Sequence, residues 1–202
     1  MFTLTKEETA IFKQLKTPAK IQDFLNSLPF NFELKGETCR SPRRVLQHKT
    51  AHCLEGALFA AAALWFHGHK PLLLDLKSTK KDFDHVVALF KKDGCWGAIS
   101  KTNHAVLRYR EPIYKTVREL ALSYFHEYFL DDGSKTLRSF SRPLSLKQFG
   151  TSWITAEEDL WDIGATLDDA PHSPILTPSA IKNLRKADKV EIEAGKITEY
   201  KK

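Results

Sequence analysis

The chain is 202 residues long, with 31 Lys plus Arg against 25 Asp plus Glu and a formal charge of +6. That length suits one domain able to bury about 70% of its unfolded surface, so neither disulfides nor a structural metal are required to hold it together. A hydrophobic content of 42% excludes a disordered chain, and nine Gly with nine Pro exclude a collagenous or low-complexity one.

In chain order, Thr5 and Glu8 form a capping box ahead of Ile11, Phe12 and Leu15 at helical spacing. Thr17-Pro18 restarts a helix carrying Ile21, Phe24, Leu25 and Leu28, which Pro29 closes. Residues 30–41 read as an extended link, and Ser41-Pro42 opens a short basic helix to about Gln47. His52 to Phe66, HCLEGALFAAAALWF, is apolar nearly all round, the mark of a buried helix. Gly68 ends it. Leu72, Leu73, Leu74 and Leu76 then fit a buried strand, His85–Phe90 a second and Trp96–Ser100 a third, with the Asp93-Gly94 turn pairing the last two antiparallel.

Glu111-Pro112 predicts a long amphipathic helix to about Leu130, stopped by Asp131-Asp132-Gly133, with Val117, Leu120, Ala121, Tyr124, Phe125 and Tyr128 on one face. Residues 134–150 are expected to be irregular, with a short strand near Leu137–Phe140. Thr155 and Glu158 form another capping box, predicting a helix to about Asp168. Pro171, Pro174 and Pro178 mark a loop before helical turns from Ser179. The expected fold is α+β over a single domain, 1–202: a central buried helix on a small antiparallel sheet with flanking helices. Residues 1–49 are a helical N-terminal addition, 50–103 the core, and 104–202 a helical C-terminal addition with a basic tail.

Cys39, Cys53 and Cys95 are an odd set without a CxxC pair, which reads as reduced thiols in a cytoplasmic protein. The first 16 residues lack the apolar core and cleavage site of a signal peptide. The longest apolar stretch, 57–66, is half of the roughly 20 residues a membrane helix needs, so no membrane partner is expected. The basic excess lies in small groups (Arg40, Arg43 and Arg44; Lys77, Lys80 and Lys81; the tail from Lys182) without interleaved aromatics. A solvated surface explains it, and a nucleic-acid-binding accessory role is the weakest of the functional readings.

Cys53 begins the buried helix, where unpaired N–H groups and the helix dipole favour a thiolate. A thiolate nucleophile needs an imidazole to share its proton, and His85, opening the second strand, is within reach of such a helix start. A third group to orient the ring is sought near the end of the neighbouring strand, where Ser100 and Asn103 are the polar residues. A lone cysteine on an apolar helix otherwise serves as a small core hydrophobe, and His85 as a hydrogen-bonded strand residue. His48, His52, His67 and His69 lack the paired spacing of a zinc site, so no metal is expected.

At these residues the chain resembles the transglutaminase-like superfamily, whose core is the papain-like cysteine-hydrolase fold. The resemblance rests on Cys53 opening an Ala-rich helix, the Leu-rich strand after Gly68-His69, the DHVVALF strand with His85, and the hairpin closing on Trp96. It implies Cys53 as nucleophile and His85 as general base, acting without a cofactor on a peptide or small amide or acyl substrate. It also implies that Gln47, six residues before Cys53, joins the Cys53 N–H in binding the oxyanion. Ser100 stands where the family usually has an Asp. A serine accepts a hydrogen bond but cannot stabilise an imidazolium as a carboxylate does. A catalytically retired protein that binds a peptide or protein partner is therefore the alternative.

Overall fold

Strand β2 (His85–Lys92) carries the run Val86 to Phe90 without an outward polar residue, because both of its faces are covered. Val86, Ala88 and Phe90 enter one hydrophobic core, and Val87 and Leu89 enter a second on the opposite side of the sheet. The computed structural model describes Phe2 to Lys201. Ahead of β2 come helices α1 (Lys6–Gln14), α2 (Pro18–Ser27), α3 (Pro42–His48) and α4 (Cys53–Phe66), then strand β1 (Leu72–Lys77). After it come β3 (Cys95–Ile99), β4 (Arg110–Tyr114), α5 (Val117–Leu122), β5 (Ser139–Ser141), β6 (Leu144–Ser145), α6 (Trp161–Asp168), β7 (His172–Pro174), α7 (Pro178–Lys182) and α8 (Lys189–Gly195).

The central helix is α4, whose residues from Glu55 to Leu64 are all buried. It lies chiefly on β2, with α2 and α3 against its flanks. Leu58, Phe59 and Leu64 are each at most 1% exposed. Burial of such side chains contributes about 1.5–3 kcal/mol apiece. The capping box at Thr5 and Glu8 forms as the sequence predicts, with both reciprocal bonds present.

The sheet exceeds its expected size. Among the described residues it has seven strands in the order β4-β3-β2-β1-β5-β7, with β6 also beside β1, and every pairing is antiparallel. β7 falls in the expected loop at 171–178 and pairs with β5, Ser141 opposite His172. The architecture is therefore α+β, a central helix against an antiparallel sheet flanked by helices. Among the described residues no helix is long and apolar enough to cross a membrane.

Two helix predictions fail for identifiable reasons. The helix expected over 111–130 is instead strand β4, the short helix α5 and a 3-10 turn over Phe125–Glu127. Pro112 is tolerated because β4 is an edge strand, pairing with β3 on either side of a register shift. Arg110 in β4 donates to the Ser123 carbonyl at 3.2 Å and to its hydroxyl at 2.9 Å, capping the end of α5. The expected apolar face still packs, since Leu120, Ala121, Tyr124, Phe125 and Tyr128 all enter the second core.

The helix expected from Thr155 begins only at Trp161. Residues 155–160 are held instead by the segment before and within α3. Ser41 donates to the Ala156 carbonyl at 2.6 Å, Arg44 pairs with Asp159 at 2.8 Å, and Leu160 N–H reaches the Cys39 carbonyl at 2.8 Å. These long-range bonds outcompete a local cap. They also bury Cys39 completely, although the sequence places it in a charged link.

Candidate active site

The start of α4 is prepared by the turn before it. Lys49 adopts the left-handed conformation (φ 53°) that ends α3, and Ala51 then bridges to Phe30. His52 is the N-cap residue and Cys53 the first helical one. The first ladder bond of the helix runs from Gly56 N–H to the His52 carbonyl at 2.9 Å. The N–H groups of Cys53 and Leu54 therefore precede the ladder, at the positive end of the helix dipole.

Glu55 fixes this turn from inside. Its buried carboxylate accepts from His52 N–H at 3.1 Å, Asn31 Nδ2 at 3.0 Å, Thr38 hydroxyl at 2.7 Å and Arg40 N–H at 3.2 Å. A buried carboxylate is tolerable only when so fully satisfied. The extended link over residues 31–40 is thus tied to the helix start, and His52 is held with it.

His85 is 6% exposed at the start of β2, and its Nε2 lies 2.7 Å from Ser100 Oγ. The Ser100 hydroxyl spends its only proton on the Leu107 carbonyl, 2.5 Å away. Its oxygen must therefore accept from His85 Nε2–H, which fixes the tautomer and leaves Nδ1 for the thiol. Ser100 is itself clamped by buried Gln22 of α2. The Gln22 amide donates to the Ser100 carbonyl at 2.8 Å and accepts from Ser100 N–H at 2.9 Å.

Both imidazoles bear on the Cys53 thiol. Burial by itself would raise the thiol, but hydrogen bonds to His52 and His85 and the charge of both rings bring it down to about 5. Burial likewise opposes charge on His52. The bond to Cys53, the charges of Cys53 and Glu55 and the Thr38 carbonyl, 2.8 Å from Nε2, raise the ring to about 9. The two groups titrate as a pair, a thiolate beside an imidazolium. Cys39 contrasts with it: burial, with Glu55 and Asp159 nearby, pushes that thiol up to about 12.

These groups open into a cleft of about 900 Å³ between residues 30–33, the 82–85 segment, the 101–107 loop and residues 127–132. Cys53, His52 and His85 line it. Tyr128, nearly buried, donates its hydroxyl proton to the Phe83 carbonyl and so braces the segment that leads into His85.

Of the residues singled out in the sequence, Cys53 and His85 line the same cleft, and Ser100 bonds to His85. Asn103 lines the cleft but does not orient His85, because its side-chain amide is taken up by Tyr200, to which it donates and from which it accepts at 2.9 Å. Gln47 is exposed on α3 and is not among the cleft-lining residues, so the amide expected to help hold an oxyanion is not brought to Cys53. Of the histidines considered for a metal, His52 bonds to Thr38, and His67 contacts the Phe12 carbonyl at 2.7 Å. The group of potential ligands that does gather among the described residues is acidic, Asp75, Asp84 and Asp168. Lys77, 3.4 Å from Asp84 and 3.8 Å from Asp168, supplies it with a counter-charge.

Sequence reasoning missed His52, Glu55 and Gln22 as parts of the site. His52 and Glu55 have the spacing of a reciprocal N-cap, a signal that was present. Gln22, 78 residues from Ser100 in the chain, had none. No protein-family model matches this chain, and no curated protein matches it in sequence.

Proposed function

We propose that the chain is a cysteine hydrolase or acyltransferase of the transglutaminase-like superfamily, acting on an amide or acyl substrate through Cys53 and His85. The observation that carries this reading is the Cys53 thiol at the start of α4, open to the cleft, with His85 against it and Ser100 behind His85. The order of parts supports the family: a helix opened by the cysteine, three antiparallel strands, the histidine opening the second and a polar side chain just past the third. Three unpaired cysteines suit a reducing, cytoplasmic setting.

In this reading the thiolate attacks the carbonyl carbon, and the N–H groups of Cys53 and Leu54 face the developing oxyanion. His85, protonated at Nδ1 and still donating Nε2–H to Ser100, gives its Nδ1 proton to the leaving amine as the C–N bond breaks. The neutral ring then takes a proton from water or an acceptor amine, which attacks the thioester. Collapse expels the Cys53 thiolate and restores the imidazolium. His52, held at Glu55 and Thr38, keeps the sulfur anionic between turnovers. The chemistry calls for no cofactor.

The test is the rate of Cys53 alkylation by iodoacetamide against pH, in the parent and in His85→Ala. The expected midpoint lies near 5 in the parent and moves upward in the variant. A parent midpoint near the ordinary thiol value of about 8.5, indifferent to the variant, refutes the reading. One observation favours a second reading, a protein that has lost turnover and keeps its cleft for a peptide or protein partner: the uncharged Ser100 behind His85. An activated thiol that forms no thioester with activated acyl esters would select it.

A further inference from the structure

We infer that the Cys53 cleft selects cationic substrates, peptides that carry Lys or Arg beside the acyl group presented to the thiol. The inference rests on the function proposed above and names the substrate class of that site.

The chain as a whole is basic, at +6, yet its cleft is walled by six carboxylates, those of Glu33, Asp82, Asp84, Glu127, Asp131 and Asp132. The one lysine among the lining residues, Lys101, is 1% exposed and gives its ammonium protons to the Leu25 and Leu28 carbonyls at 2.9 and 2.5 Å. It closes the end of α2 and offers little to a ligand. Three of the carboxylates have partners: Glu127 with Arg110 at 2.7 Å, Asp84 with Lys77 at 3.4 Å, and Asp132 with Lys186 at 3.8 Å. Among the described residues, Glu33, Asp82 and Asp131 have no Lys or Arg within 4.0 Å; Glu33 accepts from Thr38 N–H at 2.7 Å and lies 3.7 Å from the His52 ring, and Asp82 accepts from Phe83 N–H at 2.9 Å and from the Thr136 hydroxyl at 2.5 Å.

Each of these three has an aromatic residue near it in the chain that also lines the cleft: Phe32 before Glu33, Phe83 after Asp82, and Phe129 two residues before Asp131. Phe83 is 91% exposed, a large apolar group that earns nothing from packing where it stands. An aromatic face next to a carboxylate is the pairing that holds an ammonium or guanidinium. Lys135 already sets its ammonium 5.8 Å from the centre of the Phe129 ring. The His52 imidazolium occupies the place beside the sulfur, so a substrate cation belongs on the walls. With Glu127, Asp84 and Asp132 offset by their partners, the remaining carboxylates still outnumber the His52 imidazolium on the cleft walls, which favours cations over phosphate-bearing ligands.

The experiment compares two methanethiosulfonates, one bearing a trimethylammonium and one a sulfonate. Each is attacked by the thiolate, which forms a mixed disulfide and releases methanesulfinate. Rates at Cys53 are read by peptide mass spectrometry at pH 7 and low salt, and the cation-to-anion ratio is divided by that of 2-mercaptoethanol. The expected normalised ratio is about fivefold or more, collapsing toward one at high salt and in the Glu33→Gln, Asp82→Asn, Asp131→Asn triple variant. In a second arm, Cys53→Ala protein is titrated with a fluorescein-labelled Gly-Lys-Gly-Lys-Gly peptide and its Glu counterpart. The lysine peptide is expected to bind about tenfold more tightly. A normalised ratio of one or below in the parent, or equal binding of the two peptides, overturns the proposal. Slow reaction of Cys53 with both reagents would count against the activated thiol instead, while the ratio would still decide the charge preference.

Discussion

Cys53 and Cys39 are the same side chain put to opposite uses by their surroundings. Cys39 has carboxylates and a carbonyl around it in a dry core, so its thiol stays neutral; it is expected to resist iodoacetamide in the native protein and to react only on unfolding, which peptide mapping would check. Cys53 has two imidazoles and a helix start. Removing the cation at His52 withdraws stabilisation from the thiolate, so His52→Ala should raise the Cys53 midpoint from about 5 by roughly one unit or more. In the parent, activity should rise with pH as the thiol ionises near 5. In His52→Ala this acid limb should move upward with the thiol, and a pH–rate profile of both proteins reads this directly.

At the level of elements, the position of α4 depends on a missing side chain. A Cβ on Gly56 would stand 2.4 Å from Lys101 Cβ, so only glycine lets the helix approach the segment following β3 this closely. That approach brings the Cys53 end of the helix up to His85 and seats the Lys101 ammonium on the last carbonyls of α2. Gly56→Ala should therefore cost about 1–3 kcal/mol by overpacking, seen as a lower urea midpoint with unchanged m-value. α5 and β4 teach a different lesson. Helical spacing from Val117 to Tyr128 identified which residues are buried, but a short helix followed by a 3-10 turn buries the same set. The edge position of β4 and the cap from Arg110 decide where the helix begins and stops.

On the scale of the molecule, the N-terminal and C-terminal parts of the chain both brace the segment from Ser100 to Asn103 beside the cleft. The N-terminal part supplies Gln22, which clamps both backbone groups of Ser100. The C-terminal part supplies Tyr200, whose backbone pairs with the Asn103 amide while Ile197 and Glu199 bond to the same loop. Asn103→Ala should release this last segment, giving faster amide exchange at residues 197–200 while the Cys53 alkylation midpoint stays where it is. Movement of that midpoint would reinstate Asn103 as a partner of His85. Gln22→Ala leaves a buried N–H and carbonyl unpaired, at about 1–3 kcal/mol of stability, and loosens Ser100 behind His85. Its turnover number should fall more than its KM rises, which steady-state kinetics would separate.

The α+β class, the buried helix over 53–66, the first three strands and the placing of Cys53 at the start of α4 and His85 at the start of β2 were legible in the chain alone. Those features are local: an all-apolar helix, apolar runs bounded by turns, and caps within four residues of what they cap. Tertiary structure decided the rest. Sheet order beyond the third strand, the conversion of 110–114 to an edge strand and the delayed start of α6 depend on partners up to 121 residues away. So do the choice of Ser100 over Asn103 and the clamp from Gln22. Hydrogen bonds across such separations leave no periodicity in the chain, because the partner's identity is fixed by how the helices and the sheet pack, not by spacing along the sequence.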